Sequence, residues 1–112
     1  MLPKDRRIPA PLLLPALKKS RLFLAEHLTL RVHHLSPAEQ NQPAKIAIIT
    51  PLKINKLAVQ RHLSKRKISA YLENSLNLIK PGQLLIFQVK KDITKLEAPV
   101  LSQEIKDLLN SI

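Results

Sequence analysis

Hydrophobic positions change period several times along this chain, and each change marks an element. From Leu22 to His34 they alternate: Leu22, Leu24, Leu28, Leu30 and Val32 share one parity, while Phe23, His27, Thr29, Arg31 and His33 share the other. That period predicts a half-buried strand, with an interruption near Glu26. "AKIAIIT" predicts a short apolar strand stopped by Pro51, and "LLIFQVK" a strand covered on both faces. Spacings of three and four predict helices instead. One starts near Pro11 and carries Leu12, Leu13, Leu14, Ala16 and Leu17 up to Lys18 and Lys19, with Ser20 closing it. A second should run from about Leu57 to Ile79, ended by the "KPG" of Lys80–Gly82. A third follows Pro99, with Leu101, Ile105, Leu108, Leu109 and Ile112 on one face. Pro3, Pro9 and Pro11 make residues 1–11 an extended basic arm, and "LSPAEQNQP" is a polar loop.

At 112 residues the chain has the length of one domain, residues 1–112, and its 45% hydrophobic content is enough for one core. It has no cysteine, which excludes disulfides and thiolate metal sites and fits a reduced, cytoplasmic setting. The apolar run from Ile8 to Leu17 follows Lys4, Arg6 and Arg7, as a secretory signal would. Three prolines interrupt it and it is too short to span a bilayer, so no membrane segment is expected.

Charge adds the next piece. Nineteen Lys and Arg face eight Asp and Glu, a net charge of +11. No acidic residue stands between Glu39 and Glu73, while Lys45, Lys53, Lys56, Arg61, Lys65, Arg66 and Lys67 fall in that interval. At roughly 100° per residue, Arg61, Lys65, His62 and Arg66 form one arc of the second helix. Ile68, Tyr71, Leu72 and Ile79 make the core side, and Val59, Leu63 and Ala70 make a second apolar stripe. A solvated helix face normally interleaves Glu or Asp at i±4, and none occurs here before Glu73. Unpaired cations at this density call for a polyanion, and nucleic acid is the expected partner.

The segment "AVQRHLSKR" resembles the helix motif A-V-x-R-N-R-x-K-R of the protein component of bacterial ribonuclease P. Ala58, Val59, Arg61, Lys65 and Arg66 match, whereas His62 and Leu63 replace the motif's Asn and second Arg. The likeness continues over nearly the whole chain. "LPK" looks like the family's opening, "LKKSRLF" is similar to its K-K-G-x-R-F turn, and Leu13 stands for the usual Phe of the first helix. "KIAIITPLKIN" resembles the strand entering S-x-K-K-x-G, with Lys53 at the second Lys and Pro51, Leu52 and Asn55 departing. "KPGQLLIFQVK" is similar to P-G-x-D-x-V-V-x-x-R, with Leu84 at the acidic and Lys90 at the basic position.

That resemblance implies an α+β fold, a two-layer sandwich in the order α-β-β-β-α-β-α with a left-handed β-α-β crossover. It also implies an endoribonuclease holoenzyme in which a catalytic RNA, with Mg2+ bound mainly by that RNA, removes the 5′ leader of precursor tRNA. The protein then has no active site and no obligate protein partner. The residues agree: no nucleophile–base pair and no paired carboxylates stand in the basic region. His27, His33, His34 and His62 lack an Asp or Glu nearby in a ligand motif, so no metal site is expected. The expected contacts to catalytic RNA are Arg61, His62, Lys65, Arg66, Lys67, Lys53 and Lys56. The expected leader cleft uses Phe23, Arg31, Thr29, Leu13 and Lys90. Shared parity supports it, placing Phe23 to stack on a base and Arg31 to neutralise a phosphate on the face of Thr29. Composition fits equally a structural RNA-binding protein of ribosomal or RNA-chaperone type.

Overall fold

The structure, a computed structural model, describes residues 2–39, 41–76 and 79–112. Its elements are α1 (Ala10–Lys18), β1 (Arg21–Leu24), β2 (Leu28–His34), β3 (Lys45–Ile49), α2 (Ala58–Glu73), β4 (Gln83–Val89) and α3 (Ala98–Asn110). This is the α-β-β-β-α-β-α order, in an α+β fold. The four strands form one sheet in the order β1-β2-β4-β3. β1–β2 and β2–β4 are antiparallel. β3 and β4 are parallel, and α2 is the crossover that a parallel neighbour requires.

Alternation sorts the sheet into two faces. Leu28, Leu30 and Val32 of β2, Leu85, Phe87 and Val89 of β4, and Ile46 of β3 are buried on one face against Ile68 and Leu72 of α2 and Leu101, Ile105 and Leu108 of α3. These form the main two-layer sandwich. On the far face α1 crosses only part of the sheet: Ala16 is buried on Leu84 and Ile86, with Leu13, Leu17, Ala47 and Ile49 packed around them. β4, central and covered on both sides, therefore reads as an unbroken apolar run.

Three expectations are corrected. The run from Leu22 to His34 is a hairpin: the interruption expected near Glu26 is its turn, at residues 25–27, and the chain reverses there instead of continuing as one strand. The pairing sets Phe23 opposite Leu30 and Leu24 opposite Thr29, so parity inverts across the turn. Directly opposed residues share a face, and Phe23 lies on the core side, packed against the main cluster, away from Thr29 and Arg31. The basic arm is fastened down. Lys4–Arg6 form a 3-10 turn, Ile8 donates its N–H to the Ile46 carbonyl, and Leu2 is buried in the core. Helix α1 already includes Ala10 and Pro11. Finally, α2 stops at Glu73 in a turn at Asn74 and Ser75; of its expected continuation, residues 77 and 78 lie outside the described residues. Gly82 has φ 81°, a left-handed conformation that suits glycine. From there its N–H reaches the Gln42 carbonyl and its own carbonyl accepts from Leu35, launching β4 beside the end of β2.

Candidate nucleic-acid interface

Helix α2 begins without a side-chain cap and has no acidic residue in its first turn. An uncapped N-terminus carries partial positive charge, and here it is bordered by cations rather than by the usual Asp or Glu. Arg61 closes the approach to the helix: its Nη1 donates to the carbonyls of Asn55 at 3.0 Å and Lys56 at 2.9 Å. The loop from Pro51 to Lys56 is thereby held against the helix, with Lys53 and Lys56 exposed on it.

Asn55 occupies the centre of this joint and is buried. Its side-chain nitrogen donates to Asp92 Oδ1 at 3.1 Å, and its Oδ1 accepts from Ser64 Oγ at 3.5 Å. Asp92 Oδ1 also accepts the Thr94 N–H at 2.9 Å and the Thr94 hydroxyl at 2.8 Å. These Thr94 and Asn55 donors hold the Asp92 carboxyl below its ordinary value. Lys67 completes the clasp, donating to the carbonyls of Ile93, Thr94 and Leu96 at 3.2, 2.6 and 3.0 Å. An ammonium has three N–H groups, so all of its donors are engaged within the protein. Lys67, expected as an RNA contact, points instead into the β4–α3 loop.

His62, Lys65 and Arg66 are exposed on the outer side of α2. Among the described residues none of these three pairs with a carboxylate. Between them run Val59 and Leu63, also exposed, as the second apolar stripe predicts. The structure thus brings together His62, Lys65 and Arg66, places Arg61 half-buried beside them, and sets Lys53 and Lys56 at the helix entrance.

A second surface lies where α1 leaves the far face of the sheet open. Thr29 and Arg31 are half-buried there, and opposite them on β1 stand Leu24 and Leu22, both exposed. Leu13 of α1 packs on the same face of the sheet, against Ala16, Leu84 and Ile86. Lys90 is exposed just beyond β4, its N–H bonded to the His27 carbonyl. His33 shares the face, and its Nδ1 lies 3.4 Å from the Lys19 carbonyl. Leu22, Leu24 and Gln88 belong to this surface too and were missed, because a single-strand reading assigns the leucines to the core. Phe23 is on the other side, where the Arg21 guanidinium sits 5.4 Å from its ring centre.

One histidine does have carboxylates around it. His27 Nδ1 is 2.9 Å from Glu104 Oε1, and the backbone N–H of His27 donates to Glu104 Oε2 at 3.0 Å. Glu26 is close enough that one ligand atom from each of the three lies within 4.8 Å of the others. Glu104 is 77 residues away in sequence, a partner that no local motif could reveal. No described helix is long and apolar enough to cross a membrane.

Comparison with known proteins agrees with this fold. The family model "Ribonuclease P" matches residues 15–112. The chain is 27% identical to the ribonuclease P protein component of Rippkaea orientalis (strain PCC 8801 / RF-1) over 110 residues, 96% of this chain and 87% of the relative. The solved ribonuclease P protein of Thermotoga maritima superposes with a TM-score of 0.81 at 14% identity, covering 95% of this chain and 96% of that one. The Staphylococcus aureus ribonuclease P protein gives 0.79 at 14% identity, covering 95% and 94%.

Proposed function

The chain belongs to the ribonuclease P protein family, and on that premise we propose that it is the protein subunit of a ribonuclease P holoenzyme, binding the catalytic RNA through α2 and the 5′ leader of precursor tRNA through the sheet face beside α1. The observation that carries this reading is the exposed row His62, Lys65 and Arg66, which no carboxylate among the described residues neutralises and which Lys53 and Lys56 prolong at the positive end of the helix. Phosphates are the ligand that such a row and such a helix end attract together. Arg31 and Lys90 serve the leader in the same way, with Thr29 as a neutral hydrogen-bonding neighbour and Leu13, Leu22 and Leu24 as apolar contacts for bases. Phe23, on the other face, takes no part.

Cleavage is left to the RNA. The exposed row His62, Lys65 and Arg66 is cationic and repels a Mg2+ ion, which in this reading is bound by RNA oxygens. The protein's contribution is electrostatic: its side chains replace counterions where two polyanions approach each other. Reconstitution with the ribonuclease P RNA of the same genome tests this. Leader removal is expected at a Mg2+ concentration several-fold lower with the protein than without it. No change in the Mg2+ requirement, or cleavage by the RNA-free protein at a comparable rate, would overturn the reading.

A further inference from the structure

The second apolar stripe of α2 has no role in phosphate binding, yet it lies in the middle of the basic surface. Val59 is 77% exposed, Leu57 63% and Leu63 39%. Ala58, Val59, His62, Leu63 and Arg66 line a depression of about 510 Å³ along the outer side of the helix. Their spacing places them on one strip: Val59 and Leu63 are four residues apart, as are His62 and Arg66. Its lining is aliphatic apart from one imidazole and one guanidinium.

From this we propose that the depression receives an unstacked nucleobase of the RNA partner, so that α2 reads a splayed nucleotide as well as phosphate charge. The inference rests on the RNA-binding reading and names the part of the RNA that this site takes. A nucleotide presents a flat apolar face and a negative charge within one residue's length, which is what an aliphatic lining with cations beside it complements. Val59 and Leu63 pack on the base, the Arg66 guanidinium stacks against it or meets its phosphate, and Lys65 reaches the neighbouring phosphate. Solvent-exposed aliphatic side chains gain little beside paired helical RNA, whose bases are hidden in the stack; they gain where a base is turned out.

The decisive comparison is between apolar and charge variants of the whole chain, each titrated with the ribonuclease P RNA of the same genome over a salt series. The double variant V59S/L63S should bind at least tenfold more weakly at every salt concentration, with the dependence of affinity on salt unchanged, because no counterion-releasing contact has been removed. V100S, at an exposed site on α3, should bind like the parent. Equal melting curves would confirm that both variants fold. If V59S/L63S keeps its affinity while K65Q/R66Q loses affinity and shows a shallower salt dependence, the nucleobase proposal fails and the RNA-binding reading stands. If neither variant changes binding, both fail. A loss with V59S/L63S that comes with a shallower salt slope would mean that the stripe only positions cations, which also overturns the proposal. So would a dimer of the parent chain in sedimentation that V59S/L63S dissolves, since a second copy would then be the occupant.

Discussion

Lys65 and Lys67 stand two residues apart on α2 and meet opposite surroundings. Lys65 is exposed on the outer side of the helix, where no described carboxylate meets it. Lys67 is half-buried on the inner side, its ammonium shared among three carbonyls of the loop that leads into α3. Arg61 stands between the two roles, binding two carbonyls at the helix entrance while remaining next to the exposed row. A run of positive charge is thus two populations: cations that build the platform and cations that the platform displays. The contrast also explains how α2 holds its position without a side-chain cap. The clasp of Asn55, Asp92, Ser64 and Lys67 ties the helix to the loops on either side of it.

Replacing Lys67 by Met breaks the inner side and should give the largest effect. Hydrogen bonds to charged groups contribute about 1.5–3 kcal/mol each, but the three acceptors share one donor group and regain some water, so a loss of about 2–3 kcal/mol is expected. Urea unfolding measures it, and RNA affinity of the folded variant should stay within a factor of two. Stability within 0.5 kcal/mol of the parent, by the same measurement, would return Lys67 to the displayed population. The same distinction, packed against open, separates Phe23 from Arg31 across the sheet. Phe23→Ala should cost about 2 kcal/mol, less than the 3–5 of a fully buried Phe. It should weaken leader-bearing and mature tRNA equally. Arg31→Gln should leave the melting temperature unchanged and weaken only the leader-bearing substrate. On the outer side, K65Q/R66Q should leave stability unchanged or raise it by relieving repulsion. It should lower RNA affinity about tenfold and make the log–log salt slope shallower by about 1–2, one step for each phosphate released.

The sequence reveals most elements because each is a local pattern: the run of β4, the spacing of α3. It reveals the second apolar stripe of α2 as well, since Val59 and Leu63 are exposed where the helical period puts them. What depends on chain reversal is not local. Phe23 and Thr29 have the same parity, and only the register of the hairpin, Phe23 opposite Leu30, places them on different faces. Long-range pairing is equally hidden. Asn55 meets Asp92 across 37 residues and His27 meets Glu104 across 77, and neither pair lies in a recognisable spacing. Lys67 differs from Lys65 only through a loop 26 residues further on. Charge counting finds the region of the proposed interface, but the packing of that loop decides which cations stay exposed.

The smallest expected effect lies within the clasp and is read from pH. Thr94 and Asn55 donate to the Asp92 carboxylate and favour its charged form, so its pKa is lower in the folded chain than the ordinary value of about 3.9 in the unfolded chain. A lowered folded value means that the unfolded state takes up the proton first as the medium is acidified. The stability from Asp92 is therefore complete above the ordinary value and is lost as pH falls through the folded one. Because Asp92 itself is exposed, water screens the interaction and the change is modest. Asp92→Asn keeps an oxygen that can accept from Thr94 but removes the charge. Other carboxylates titrate in the same range, so the informative quantity is the difference in unfolding free energy between parent and variant, measured from pH 6 to pH 2. That difference should be constant above about pH 5 and shrink below it. A difference that stays level throughout would show that the carboxylate's charge does not hold the clasp, leaving Lys67 and the Asn55 amide to join α2 to its loops.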